Sequence, residues 1–201
     1  MREIASNIKN MELLKSRRND IAEAGYKLFS KSGFMGTSVE EVAKFLNVDK
    51  RTLYNYLEKK EDLLYVVFCR YLPIFTEEVS AKINQISDPR EKLKTAIKAD
   101  LELTSEYENF VMLVSRELRY LDEESIQSTL ELIKKNYQIF ENILKEGIES
   151  GVFKPHNPTI VTFAIKAQIH MIATYRWGLR DFSFKEIASQ IIDNVLGGIG
   201  Q

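Results

Sequence analysis

Cysteine and histidine are scarce in this chain, whose 201 residues include one cysteine and two histidines. The single cysteine, Cys69, cannot form an intrachain disulfide, which indicates a reducing environment. Two histidines far apart along the chain provide no recognisable set of zinc ligands, and we expect neither a metal nor a cofactor. No nucleophile, base and orienting group stand at motif spacing, and no glycine-rich phosphate loop occurs. These absences argue against an enzyme.

Proline and glycine are also infrequent, at four and nine residues. Charged and apolar residues are interleaved along nearly the whole chain, and runs with the alternation of a β-strand are few. The pattern predicts an all-α protein. The N-terminus lacks the features of a signal peptide, and the most apolar stretch, residues 159–177, is interrupted by charged and polar side chains. We therefore expect a soluble, cytoplasmic protein that does not bind a membrane.

Charge is distributed unevenly, although the net charge is only −1. Residues 1–60 contain 12 Lys and Arg against 8 Asp and Glu, a net charge of +4. Residues 61–201 contain 16 against 21, a net charge of −5. The basic part of the chain is therefore the N-terminal part, which indicates a nucleic-acid partner there.

The stretch 37–60 predicts two short helices joined by a tight turn. Ser38 stands three residues before Glu41, which is the spacing of a capping box at a helix start. Apolar residues then recur at helical spacing for about two turns. Asn47 suits the left-handed backbone of a sharp reversal, and Asp49 is expected to cap the second helix.

Polar side chains are predicted to face outward from the second helix. Lys and Arg can donate to guanine and phosphate, an Asn amide can pair with adenine, and a Tyr hydroxyl can reach phosphate oxygens. The arrangement is typical of a helix-turn-helix whose second helix reads the major groove. The alternative is an ordinary solvated helical hairpin. The outward-facing residues are Lys50, Arg51, Tyr54 and Asn55.

Residues 21–64 carry an ordered set of motifs. A first helix ends at Gly33-Phe34, a TSVEEVA segment follows at 37–43, and TLYNYLEKKEDL occupies 52–63. In these motifs the chain resembles the TetR family of bacterial transcriptional regulators. Asn stands at position 47 where the family usually has Gly, and Asp at position 49 where Ser is usual, but each can do the same backbone job.

The resemblance implies an N-terminal three-helix helix-turn-helix DNA-binding domain, here 1–62 with a short extension, and a C-terminal helical domain for effector binding and dimerisation, here 63–201. It also implies a homodimer on a palindromic operator of double-stranded DNA, with base contacts from the start of the recognition helix and backbone contacts from Tyr54, Tyr56 and Lys60. The spacing of Tyr56 also fits a core position. The candidate DNA-binding residues are Ser38, Lys50, Arg51, Thr52, Tyr54, Asn55, Tyr56 and Lys60.

Two further segments allow more than one interpretation. Residues 1–15 are either a frayed helical extension or an arm that touches phosphate or the minor groove. A long helix is predicted from Glu61 to about Gln85, and in this family the equivalent helix joins the DNA reader to the ligand domain. Pro73 lies inside this predicted helix. It marks either the point where the connecting helix bends when it moves the DNA reader, or a purely structural kink.

The last two predicted helices carry more apolar surface than one subunit needs, which favours a four-helix dimer interface. A two-fold dimer matches a palindromic operator. The alternative is that these residues form the core of a monomer. The candidate interface residues are Ile160, Ala164, Ala167, Met171, Phe184, Ile187, Ile191 and Val195.

Polar groups among aromatic residues predict a ligand pocket in the C-terminal domain, although each residue taken singly also fits ordinary packing. The YRWG segment before an FSFKEIA helix loosely resembles TetR members that sense fatty acyl-CoA, where a basic side chain meets an anionic head group. We therefore predict a repressor released by a small apolar ligand, with fatty acyl-CoA as the first candidate. The alternatives are a helical scaffold or adaptor without DNA binding, and a regulator that senses another hydrophobic compound such as a drug. The candidate ligand-binding residues are Phe68, Arg116, Tyr120, Tyr137, Phe140, His170, Tyr175 and Trp177.

Overall fold

The computed structural model describes residues 2–6 and 8–200. This part of the chain forms ten α-helices and one short 3-10 helix, which confirms the predicted all-α class. The helices are α1 (Met11–Ser32), α2 (Val39–Phe45), α3 (Lys50–Leu53), α4 (Glu61–Ile83), α5 (Pro89–Glu106), α6 (Glu108–Glu117), α7 (Glu123–Glu149), α8 (Pro158–Thr174), α9 (Arg176–Leu179) and α10 (Phe184–Ile199), with the 3-10 helix at Leu118–Tyr120.

The chain divides into two compact units. The first unit contains the chain up to Pro73 together with Met112–Leu132, and the second contains Ile74–Val111 and the chain from Ile133 onward. Helices α4, α6 and α7 each contribute residues to both units. A functional boundary between residues 62 and 63 stays a prediction.

The end of α1 shows how the first unit forms its core. Gly33 has a φ of 72° and its N–H donates to Phe29 O at 2.8 Å, which closes the helix. Phe34 then folds back against Phe29, with the ring centroids 5.5 Å apart. Both rings are buried, together with Ile21 and Ala24 of α1. The helix therefore braces the two short helices that follow it.

Two helix ends show what fixes the helix bounds. α1 begins at Met11, because the Asn10 side chain accepts from Leu13 N at 3.0 Å and caps the first turn. α10 runs through Gly197 and Gly198. Backbone hydrogen bonds from Gly200 N to Leu196 O and from Lys154 N to Ile199 O hold this C-terminal end, so packing overrides the low helix propensity of glycine.

The second unit packs α5 against α8 and α10. Gly147 lets the Phe153 ring lie directly on α7, since a β-carbon at Gly147 would come within 2.0 Å of that ring. Phe153 is consequently buried beside the helix it follows. Along the described ranges, no helix is long and apolar enough to cross a membrane.

Candidate nucleic-acid interface

The start of α2 is fixed by the reciprocal hydrogen bonds that the sequence predicts. Ser38 Oγ accepts from Glu41 N at 3.2 Å, and Glu41 Oε2 accepts from Ser38 N at 2.7 Å. The Ser38 hydroxyl also donates to the same carboxylate at 2.8 Å. These hydrogen bonds lower the pKa of Glu41. The capping box is therefore confirmed, and it occupies the polar groups of Ser38.

The turn and the second helix start are also as predicted. Asn47 has a φ of 55°, which is the left-handed conformation expected at the reversal. Asp49 Oδ1 accepts from Thr52 N at 2.7 Å, and this hydrogen bond lowers the pKa of Asp49. α3 is only four residues long, and turns continue it to Tyr56. We call Lys50–Tyr56 the recognition segment.

The recognition segment has a polar outer side and an apolar inner side. Leu53 and the following Leu57 are buried. Thr52 and Tyr56 are partly buried. The exposed residues are Lys50, Arg51, Tyr54 and Asn55. The structure therefore presents at the surface the four side chains that spacing assigns to the outer face, while their contacts with DNA stay a prediction.

Lys50 already has a partner in the DNA-free protein. Its Nζ donates to Glu40 Oε1 at 2.5 Å and lies 6.0 Å from the centroid of the Tyr54 ring. The hydrogen bond lowers the pKa of Glu40 and raises the pKa of Lys50. Both side chains are about half exposed, so the ion pair is of the weak surface kind that a DNA acceptor can displace. Sequence reasoning missed this role of Glu40.

Lys60 is partly buried beside the same surface. Its Nζ lies 4.7 Å from the centroid of the Phe34 ring and 3.5 Å from Met35 O. The ammonium group is therefore held at a fixed place by an aromatic face and a carbonyl, both of which attract a cation. This position is compatible with the predicted phosphate contact.

The segment before α1 packs on the first unit. We call the described residues 2–6 and 8–10 the N-terminal arm, which is not helical. The Arg2 side chain is only 7% exposed, and its guanidinium contacts Asp62. Arg2 is therefore not available to a phosphate. Of the predicted extension 1–15, residues 11–15 are helical as part of α1, whereas the N-terminal arm is not. Sequence reasoning did not identify Arg2 as a buried residue.

The predicted ligand residues are divided between the two units. Phe68, Arg116 and Tyr120 belong to the first unit, where Arg116 is exposed and the Tyr120 ring stacks on Phe34 at 5.7 Å. The other five belong to the second unit. Trp177 is 78% exposed there. The set therefore does not line one pocket within either unit, and the members of the second unit are Tyr137, Phe140, His170, Tyr175 and Trp177.

A buried polar cluster in the second unit was not predicted as a site. Lys166 and Asp100 are 2% and 0% exposed, and Lys166 Nζ donates to Asp100 Oδ2. The same Nζ donates to Asn136 Oδ1 at 2.6 Å. Three buried side-chain oxygens of α5 and α8 have no hydrogen-bond partner in the described protein: Asp100 Oδ1, Thr104 Oγ1, about one turn after Asp100 on α5, and Thr162 Oγ1, about one turn before Lys166 on α8. The only signal in the sequence was a lysine inside the apolar stretch 159–177.

Two titratable residues border this polar cluster. Burial, followed by the charge of Lys166, lowers the pKa of His170 to about 4. Burial raises the pKa of Tyr137 to about 12. At neutral pH the imidazole is uncharged and the phenol keeps its proton. The cluster thus contains one compensated ion pair surrounded by neutral hydrogen-bonding groups.

The predicted dimer residues fall into an exposed and a buried group. On α8, Ile160 is 68% exposed, and Ala164 and Ala167 are also exposed. On α10, Ile191 and Val195 are buried inside the second unit, so the apolar side of α10 packs on its own subunit. The remaining members, Met171, Phe184 and Ile187, are partly buried or at the edge of exposure.

This placement corrects two of the predicted interface residues. Periodicity identified the apolar side of α10 but not the surface that covers it, and Ile191 and Val195 belong to the subunit core. Apolar surface is instead exposed on α8 and around α9. It includes Phe163, Trp177 and Phe182, none of which was predicted as an interface residue, and Trp177 was predicted to bind the ligand.

Comparison with known proteins adds to this geometry. Residues 21–66 match the bacterial regulatory proteins of the tetR family, and residues 87–199 match the tetracyclin repressor-like C-terminal domain. The second match alone spans more than half of the chain. The chain belongs to the TetR family. The resemblance to this family that the sequence motifs indicate is thereby confirmed. The two matches include the capped helix pair and the packed helices of the second unit.

TetR-family relatives resemble the chain along most of its length. The fatty acid metabolism regulator protein of Bacillus subtilis is 30% identical over 134 residues, which cover 67% of this chain and 69% of the relative. The structure of FadR from Bacillus subtilis in complex with stearoyl-CoA has 26% identity and a TM-score of 0.77, covering 90% of this chain and 98% of that one.

The fold of AibR is also similar. Its structure in complex with isovaleryl coenzyme A and operator DNA has a TM-score of 0.75 at 24% identity, covering 88% of this chain and 96% of that one. The two Bacillus subtilis relatives are regulators by name, and no family of enzymes is indicated by these matches.

Proposed function

We propose that this TetR-family regulator is a repressor that binds a palindromic operator as a homodimer and is released by a small, largely apolar ligand. The observation that supports DNA binding most strongly is the recognition segment, whose capped start carries exposed Lys50, Arg51, Tyr54 and Asn55. A short helix with this surface can enter a major groove from its N-terminal end.

The side chains of the interface separate into two proposed roles. Lys50, Arg51 and Asn55 carry the donors that read base edges, while Tyr54 and Lys60 contact phosphate. Glu40 holds Lys50 until an acceptor on DNA replaces it, as their contact of 2.5 Å suggests. The remaining candidates, Ser38, Thr52 and Tyr56, have partly buried side chains and support the interface through backbone geometry.

The proposed homodimer forms through the exposed face of α8 and the surface around α9. Ile160 and Phe163, three residues apart on α8, and Trp177 on α9 are each more than half exposed, and large exposed apolar groups favour burial against a partner. A second copy of the chain is the partner that also explains a palindromic operator. Ala164 and Ala167 leave the backbone of α8 open to close approach.

Dimerisation is tested by comparing two isoleucines of the second unit. Ile160→Asp should yield folded monomers in sedimentation, because Ile160 is exposed within the subunit. Ile191→Asp should instead unfold the protein, because it places a charge in the core. A monomeric unaltered protein at micromolar concentration would contradict the proposed dimer.

Fatty acyl-CoA is the effector class we propose. The relationship to the fatty acid metabolism regulator and the FadR likeness support this class. In the second unit, the unpaired oxygens of Asp100, Thr104 and Thr162 suit a ligand that brings hydrogen-bond donors, such as the amide N–H groups of coenzyme A. The basic side chain of the proposed site is the buried Lys166. It is not the predicted Arg116, which is exposed.

The DNA part of the proposal is tested by selecting bound sequences from a randomised duplex library. We expect the selected duplexes to contain a palindrome. Acyl-CoA should lower the affinity of the protein for these duplexes. A tenfold loss of affinity requires about 1.4 kcal/mol of coupling between the two ligands. Failure to enrich any sequence would favour the helical scaffold without DNA binding. Enrichment without any response to acyl-CoA would leave the regulator and reject this effector class.

Base reading and phosphate contact should fail differently. Lys50→Ala should relax the preference at one operator position. Lys60→Ala should weaken binding to all sequences and make the salt dependence shallower by about one per subunit. Equal losses on operator and random DNA for both variants would contradict the assignment of Lys50 as a base reader.

A further inference from the structure

The buried side chain of Arg2 lies at the centre of a charge cluster in the first unit. Its Nη1 donates to Asp62 Oδ1 at 2.6 Å and to Ser125 Oγ at 2.9 Å. Its Nη2 donates to Glu58 Oε2 at 3.2 Å, and Asp122 Oδ2 lies 3.6 Å from Nη1. The positive charge is therefore satisfied by groups from two stretches of the chain, 58–62 and 122–125.

The backbone of Arg2 is fixed as firmly as its side chain. Its N–H donates to Ser128 Oγ at 2.7 Å, and its carbonyl accepts from Tyr65 Oη at 3.2 Å. Ser128 lies on α7 and Tyr65 on α4, and both side chains are buried. A single residue of the N-terminal arm thus joins the start of α4 to the first turns of α7.

The rest of the N-terminal arm reaches the end of the recognition segment. Ser6 Oγ donates to Asn55 O at 2.7 Å. Arg18 of α1 donates through Nη2 to Ile4 O at 2.8 Å and through Nε to Tyr56 O at 3.1 Å. Carbonyls at a helix end lack partners within the helix, so these donors satisfy them and hold the segment's end in place.

Asp62 connects Arg2 with the turn that follows the recognition segment. While Oδ1 accepts from Arg2, Oδ2 accepts from Glu58 N at 2.7 Å and from Lys59 N at 3.1 Å. The same carboxylate therefore fixes the turn that follows the recognition segment. Lys59 Nζ in turn donates to Asp122 Oδ2 at 2.6 Å, which ties this turn to the residue before α7.

We propose that Arg2 is a positioning residue for DNA binding, and that the N-terminal arm holds the recognition segment and the first turns of α7 in one arrangement. The proposal rests on the DNA-binding function proposed above. A buried charge that loses its partners is strongly unfavourable, so arrangements that keep Arg2 bonded to both Asp62 and Ser125 are preferred. Operator affinity consequently depends on the position of α7, which continues beyond the first unit.

The test uses Arg2→Gln in the full chain, with Lys9→Gln as the control that removes an exposed positive charge from the same arm. Affinity is measured for the selected operator and for a random duplex over a series of salt concentrations. We expect Arg2→Gln to lose about tenfold in operator affinity. Its affinity for random DNA and its salt slope should be unchanged, because Arg2 touches no phosphate. Lys9→Gln should not lower the ratio of operator to random affinity.

Other outcomes would overturn the proposal. A salt slope shallower by about one per subunit would show that Arg2 contacts phosphate directly. Equal losses on both DNAs would mean that Arg2 only supports folding. Unchanged operator affinity would mean that the contacts are local packing without a role in DNA binding.

Ser128→Ala tests the connection to α7 and serves as the milder variant if Arg2→Gln does not fold. It removes the acceptor of the Arg2 N–H, and we expect the same selective loss of operator affinity. In the double variant the two losses should be less than additive, since both break one connection. No effect of Ser128→Ala, or full additivity, would overturn the role of α7.

Hydrogen exchange separates failure of this proposal from failure of the proposed function. If the unaltered protein prefers no DNA sequence, the function is wrong, but Arg2→Gln should still speed amide exchange at residues 50–57 and leave α5 and α8 unaffected. Unchanged exchange at residues 50–57 would reject the positioning role regardless of DNA binding.

Discussion

The two units of the chain each bury a positive charge, but they surround it differently. In the first unit the guanidinium of Arg2 has three carboxylates and a serine within reach. In the second unit Lys166 has one carboxylate and one amide, and three neighbouring oxygens lack a protein partner. A cluster completed by the protein itself holds structure in place, whereas one with unused hydrogen-bonding groups is suited to a ligand.

Breaking the ion pair of the second unit should have the largest effect on stability. Lys166→Met leaves the Asp100 carboxylate buried without its cation, and we expect a loss of about 3–5 kcal/mol in the free energy of unfolding. Urea denaturation measures this loss. Replacing both partners with Lys166→Met and Asp100→Leu should recover most of it, because no charge then remains buried. A loss in the double variant as large as in the single one would show that packing, not charge, is the cause.

Acid should weaken the second unit before the first. The His170 imidazole has a pKa of 6.5 in the unfolded chain and about 4 in the folded protein, so between these values only the unfolded chain binds the proton. The contribution of neutral His170 to the free energy of unfolding is complete above pH 6.5. It decreases by about 3 kcal/mol as the pH falls from 6.5 to 4.

Unfolding curves at several pH values test this difference. His170→Gln should reduce the decrease in the free energy of unfolding between pH 6.5 and 4. His156→Gln, which removes the other histidine, should not reduce it. In the first unit, the hydrogen bond from Lys59 holds the pKa of Asp122 well below its usual range. The stability that Asp122 contributes is present above its unfolded pKa of 3.8 and is lost only at lower pH. Equal acid sensitivity of both histidine variants would contradict the assignment to His170.

The carboxylate of Asp62, which pairs with Arg2 in the first unit, should stabilise the fold to the same extent with and without effector. Asp62→Asn keeps the shape of the side chain but removes the charge that pairs with Arg2, and we expect a loss of about 2 kcal/mol. Thermal unfolding with and without acyl-CoA measures it. The shift produced by acyl-CoA should be the same in the variant and the unaltered protein. A reduced shift would mean that effector binding depends on the first cluster.

Local signals in the sequence predicted what lies close along the chain. The capping box at Ser38 and the left-handed turn at Asn47 each depend on residues within one helical turn, and both are present. The outward direction of Lys50 followed from helical spacing. Ser183 caps α10 through the same kind of capping box, with Glu186 three residues later. These features were predictable because each depends only on residues that are close along the chain.

Contacts between distant residues were not predictable in the same way. Arg2 pairs with a residue 60 positions away, and Lys166 with one 66 positions away. Helical periodicity also marked Ile191 as apolar without showing that it faces its own subunit. Which surface covers an apolar face, and which charges meet inside, depends on how the helices pack. A single sequence contains that information only indirectly.

A pair of hydroxyl deletions tests the contrast between the two clusters most directly. Ser125→Ala removes an acceptor that Arg2 uses, and we expect a loss of about 1 kcal/mol in the free energy of unfolding. Thr104→Val replaces an unpaired buried hydroxyl with a methyl group of similar shape, and we expect a gain of up to about 1 kcal/mol together with a weaker response to acyl-CoA. Changes of opposite sign, measured by urea denaturation without effector, are the predicted result. Losses of equal size in both variants would contradict the view that only the second cluster has hydrogen-bonding groups left for a ligand.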